Sequence, residues 1–185
     1  MNSKTRKLTT TALMIALTLI LGLTPVGYIP NPFGIFPITL MCLPVIVAAI
    51  VVGWKQGLIL GLVFGGTSLY LGLTNAFTAP IIQSHPVAMG LSIFVPRLLV
   101  PVAAWAVYQA TNKQKKPVSL GLAAAAGSLT NTVFFLGMIY FLAGSAVAEQ
   151  FGLVGMAFLA MPAITNGIPE MILAVAFCVP IILAL

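Results

Sequence analysis

Long apolar runs, separated by short polar or proline-rich breaks, organise this chain. A helix needs about 20 mostly apolar residues to cross the hydrocarbon core of a bilayer. By that measure the pattern predicts six spans: about Leu8 to Leu23, Ile38 to Gly53, Gln56 to Leu73, Val87 to Ala110, Val118 to Ala143 and Ala163 to Leu185. The stretch Leu153 to Met161 precedes the last span. Pro162 and Pro169 interrupt the apolar region there, so this stretch is read as a short interfacial helix.

Composition narrows the class. Hydrophobic residues make up 61% of the 185 and charged residues 5%, and the mean hydropathy is +1.15. A water-soluble domain carries about 25% charged residues, so this chain cannot clothe a surface facing water. Residues 1–185 are read as one all-α integral membrane domain.

The net charge of +6 changes the picture only through its placement. Lys4, Arg6 and Lys7 precede the first run, Lys55 falls between runs two and three, and Lys113, Lys115 and Lys116 fall between runs four and five. With six spans these sites share one side, which the positive-inside rule assigns to the cytoplasm. Both chain ends are then cytoplasmic. Trp54, Trp105 and Tyr108 fall at the inner interface, and Tyr28, Tyr70 and Tyr140 near the outer one, where interfacial rings are expected. The positive charge therefore reflects topology and not nucleic-acid binding. "SKTRK" resembles the positive region of a signal peptide, but no A-x-A site follows the first run.

The outer connections are the long ones. "TPVGYIPNPFGIFP" holds Pro25, Pro30, Pro32 and Pro37, which fix φ and remove donors, so it reads as a stiff, shaped connection. "LTNAFTAPIIQSHP" reads as a second long loop. Long shaped loops on one side suit a lid over an outward-facing cavity, or plain interfacial connections.

Polar residues inside the runs carry the functional signal. Arg97 lies about 15 Å deep in span four, counting about 1.5 Å per residue. Glu170 lies in the outer half of span six, four residues after Asn166 and on the same helix face, and Asn131 lies near the middle of span five. Thr130, Thr132 and Thr165 add hydroxyls at similar depth. Ionisable residues at such depth face the bundle interior, paired or lining a cavity. Two readings follow: Arg97 and Glu170 pair and hold helices together, or the four residues line a pocket in which Arg97 grips a carboxylate. Small residues at four-residue spacing, Ala12 and Ala16, Gly57, Gly61 and Gly65, Ala123 and Gly127, mark faces for close helix packing.

Other chemistries are poorly supplied. Walker A, HExxH and GxSxG patterns are missing, and Glu149 and Glu170 are the two acids. His85 stands in an outer loop without ligand partners, and Cys42 and Cys178 lack metal-ligand spacing, so no metal or cofactor is expected. A self-sufficient carrier would have to couple through Glu170 alone, without an evident inverted repeat.

The order of motifs is more specific than any one of them. "TTALMIALTLILGLTP", the proline-rich outer loop, "ITLMCLPVIVAAIVVGWKQGLILGLVFGGTSL", "VPRLLV", "GSLTNTVFFLGMIY" and "NGIPEMILAVAFCVPIILAL" follow one another along the whole chain. In this the chain resembles the substrate-binding S component of energy-coupling factor (ECF) vitamin transporters. The resemblance implies a six-helix subunit of the bacterial cell membrane that binds a vitamin from outside without an ATPase of its own. It implies partnership with a transmembrane coupling subunit and two ABC-type ATPases, with Ala12 and Ala16 facing the coupling subunit. It implies a substrate site in the outer halves of spans four to six, which carries over to Arg97, Asn131, Asn166 and Glu170. The pantothenate-type members are the most similar in pattern. Pyridoxine, hydroxymethylpyrimidine, riboflavin and folate stay open as ligands, because the arginine of "VPR" is also expected in members with other substrates.

Overall fold

The computed structural model describes residues 3–29, 31, 37–76, 78–151 and 156–185. Helix α1 (Ser3–Leu23) leads through a 3-10 turn, Pro25–Gly27, into strand β1 (Tyr28–Ile29). Strand β2 (Ile38–Thr39) returns antiparallel, with Tyr28 opposite Thr39 and Ile29 opposite Ile38. There follow α2 (Cys42–Val51), α3 (Trp54–Thr74), α4 (Ala79–Ser84), α5 (Pro86–Ala110), α6 (Lys116–Phe151), α7 (Met156–Pro162), a π-helical turn at Ala163–Gly167, and α8 (Ile168–Ala184). Pro30, Pro32 and Gly34 of the proline-rich loop lie outside the described residues.

Among the described residues, five helical segments are long and apolar enough to cross a membrane: Lys4–Leu23, Trp54–Thr74, Pro86–Ala110, Lys116–Gly144 and Leu159–Ala184. The chain is an integral membrane protein of nearly all-helical structure. The second predicted span needs correction. Ile38 and Thr39 are strand, and the helix proper is the ten residues Cys42–Val51. At about 1.5 Å per residue it covers roughly half of a hydrocarbon core about 30 Å thick. The reason lies in its surroundings. Val45, Ile46, Ala48 and Ala49 are fully buried, and α2 packs against α1, α3, α5, α6 and α8. It is the central core element, so its apolarity answers to neighbouring helices more than to lipid. Pro44 sits in its first turn, where a backbone N–H has no helical acceptor in any case.

Gly53 turns the chain from α2 into α3 at φ +133°, a conformation open to glycine alone. The glycine stripe of α3 then receives α5. A Cβ on Gly61 would stand 2.5 Å from the backbone oxygen of Arg97, and one on Gly65 2.6 Å from the Phe94 ring. This contact and the extensive α5–α6 packing fix the depth of Arg97. Helix α6 breaks at Ala143 (φ −140°, ψ 20°), the residue at which the fifth predicted span ends. The second outer loop is also more ordered than its sequence suggested. It folds into α4, with Pro80 in its first turn and the Thr78 hydroxyl donating to Gly72 O at 2.7 Å.

A candidate substrate cavity beneath the hairpin

Arg97 owes its setting to the residue before it. Pro96 has no N–H, so the carbonyl of Ser92 loses its helical donor. The Arg97 guanidinium turns back along the helix and donates from Nη1 to that Ser92 oxygen at 3.4 Å. Its Cζ lies 4.4 Å from the Phe135 ring centroid and 5.1 Å from that of Phe64. Two aromatic rings thus flank a buried cation, and cation–π attraction is strong where water is excluded. Arg97 Nε has no hydrogen-bond partner among the described residues.

Glu170 does not pair with it. No ion pair within 4.0 Å joins Arg97 to Glu170 among the described residues. The carboxylate instead accepts the backbone N–H of Thr39 through Oε1 at 2.7 Å. The π-helical turn just before it widens the last span at Asn166, and such turns often mark functional positions. Asn31 Nδ2 donates to Thr165 O at 2.9 Å and to Asn166 Oδ1 at 3.2 Å. The first outer connection is therefore tied to the last span on both sides of the hairpin.

These groups surround a cavity of about 530 Å³, within the usual size of a small-molecule site. Arg97, Asn131, Asn166 and Glu170, the four residues singled out from the sequence, all line it. Asn131 Oδ1 is buried without a hydrogen-bond partner among the described residues. Thr132, whose hydroxyl the sequence placed at similar depth, lines it too, as do Tyr28, Thr39 and Ser68, to which sequence reasoning gave no place in the site. The Tyr28 hydroxyl donates to Met41 Sδ at 3.0 Å, and burial pushes its phenol above the ordinary tyrosine range, so it stays a neutral donor. Phe135 lines the cavity, whereas its neighbour Phe134 turns away and is 45% exposed. His85 is exposed beside Ser84. Ala12 and Ala16 are remote from the cavity, on the exposed face of α1.

A buried cation, a carboxyl group, two side-chain amides and several hydroxyls around a largely apolar hollow have the chemistry to hold a small amphiphilic solute. The sequence model of the family described as "ECF transporter, substrate-specific component" matches residues 6–183, and the chain belongs to that family. It is a transport subunit and a multi-pass membrane protein. A curated relative, "Pantothenic acid transporter PanT" of Lactococcus lactis subsp. cremoris (strain MG1363), is 36% identical over 164 residues. That alignment covers 83% of this chain and 80% of the relative.

Proposed function

We propose that the chain is the pantothenate-binding S component of an ATP-driven ECF importer. The observation that carries this reading is the meeting of Arg97, Asn131, Asn166 and Glu170 at one cavity, in a chain 36% identical to a pantothenic acid transporter. Pantothenate is a carboxylate with an amide and two hydroxyls. Arg97 grips the carboxylate, and the amides of Asn131 and Asn166 bind the polar middle of the molecule. Glu170 accepts a donor from the ligand or holds the hairpin over it.

In this reading α2 with its preceding hairpin completes a sixth crossing, and both termini lie in the cytoplasm. Exposed Lys55, Lys113, Lys115 and Lys116, together with the basic start of α1, support that orientation. The loaded subunit delivers its vitamin through a transmembrane coupling subunit driven by two ABC-type ATPases. Ala12 and Ala16 form part of the contact with the coupling subunit. The test is equilibrium binding of labelled pantothenate to the purified protein, with pyridoxine, hydroxymethylpyrimidine, riboflavin and folate as competitors. Saturable binding that only pantothenate displaces is the expected result. Displacement by another of these at lower concentration would assign the site to that ligand.

A further inference from the structure

The cavity is not uniformly polar. Arg97, Asn166 and Glu170 bring polar groups to it. Ile81, Ile82, Ile93 and Ile139 form a buried cluster of their own with Met89 and Ala143. All four isoleucines line the same cavity, together with Thr74 and Thr78. Phe135 joins the two groups: it packs against the isoleucine cluster, and its ring lies 4.4 Å from Arg97 Cζ.

Two of the isoleucines come from α4, and their position is built. The Thr78 hydroxyl at the start of α4 bonds to Gly72 O at 2.7 Å, and a Cβ on Gly72 would stand 2.6 Å from Ile82 Cδ1. Gly72 thus leaves the room that Ile82 occupies against the cavity. Isoleucine is stiff at χ1, so four of them make a wall of fixed shape rather than an adaptable one. Such a wall rewards a compact branched carbon, and the hydroxyl groups that flank such a carbon need polar partners, which Ser68, Thr74 and Thr78 of the same lining supply.

From this arrangement we infer that the cavity takes its ligand in one orientation, carboxylate at Arg97 and branched aliphatic end against Ile81, Ile82, Ile93 and Ile139. These isoleucines then determine specificity for branching. This rests on the pantothenate reading, since the two methyl groups on one carbon of pantothenate are the branch in question. The preference arises from buried methyl contacts, where each missing group in a fitted apolar pocket is worth about tenfold or more.

The test compares two ligands on each of three proteins: pantothenate and its analogue with both methyls replaced by hydrogen, on the unaltered chain, Ile82→Ala and Ile93→Ala. The quantity read is the ratio of the two dissociation constants within each protein, which a loss of folded protein leaves unchanged. The expected ratio is about tenfold or more in favour of pantothenate on the unaltered chain, falling to within about twofold in at least one variant. A ratio near one on the unaltered chain, or one that both substitutions leave intact, overturns the inference while pantothenate binding stands. Failure of the unaltered chain to bind pantothenate removes the underlying reading and this inference with it.

Discussion

The backbone N–H of Thr39 donates to Oε1 of Glu170 at 2.7 Å, across 131 positions of sequence. One bond therefore ties the strand that roofs the cavity to the last helix that lines it. Hydrogen bonds to a charged group contribute about 1.5–3 kcal/mol, which adds to the pairing of this two-residue strand with β1.

Removing the acceptor should free the hairpin. Cys42 and Cys178 are buried, so a cysteine introduced at the half-buried Ile38 can report on the roof alone. In Ile38→Cys, adding Glu170→Ala should raise the rate of maleimide labelling about tenfold to a hundredfold, the equivalent of the lost bond. Glu170→Gln keeps a carbonyl acceptor and should fall between. Equal rates in all three would mean that the roof is held by other contacts.

The packing of α3 on α5 gives a second prediction. A Cβ on Gly61 meets the Arg97 carbonyl oxygen at 2.5 Å and its carbon at 3.2 Å, and backbone atoms cannot rotate aside. Gly61→Ala should cost about 1–3 kcal/mol, lower the melting temperature in detergent, and weaken ligand binding by displacing Arg97. Gly66→Ala, where no atom lies within 4 Å, is the control and should leave both unchanged.

Much of the site was legible because polar groups are costly in a bilayer. Arg97, Asn131, Asn166 and Glu170 stand out wherever they fall, since each needs an interior place. Thr39, Tyr28 and Ser68 do not stand out. Hydroxyls near span ends cost little, and their place at the cavity depends on hairpin register, a long-range property. Phe134 and Phe135 differ by one position, about 100° of helix rotation, and that alone sends one outward and one into the cavity. The apolar run around α2 reads as a longer helix than Cys42–Val51 because a buried core helix and a lipid-facing one share a composition. The pairing of Ile38 and Thr39 with Ile29 and Tyr28, which takes those residues out of the helix, is invisible in a single sequence.

Pro96 and Arg97 act as a unit, and this is testable. Pro96→Ala restores an N–H that competes for Ser92 O, which accepts a hydrogen bond from the guanidinium. The helix should be no less stable by thermal unfolding, while pantothenate affinity changes because Arg97 loses its anchor. Arg97→Lys keeps the charge but loses the planar fork and the aromatic stacking. It should weaken binding by about tenfold or more, and Arg97→Met by a further margin, toward the 2–5 kcal/mol expected for a buried charge left unpaired on the ligand. Affinity unchanged in both would take Arg97 out of ligand contact.

The last prediction concerns the outside of α1. Thr11, Met14 and Thr18 face inward, and the Thr18 hydroxyl bonds to Met14 O at 2.8 Å. Ala12 and Ala16 lie on the other face, beside Leu13 at 65%, Leu17 at 42% and Ile20 at 59% exposure. Ala12 and Ala16 are both exposed and four apart on one helix face, where they leave a shallow channel, so a bulky residue there meets lipid and strains no contact among the described residues. The double substitution Ala12→Phe, Ala16→Phe should therefore leave melting temperature and ligand affinity unchanged. If a coupling subunit seats a helix in that channel, small residues being what lets two backbones approach closely, the same substitution should abolish co-purification with it and stop ATP-driven uptake. Assembly that survives the two phenylalanines would move the partner contact to another face, and uptake lost together with ligand affinity would point to damage within the subunit instead.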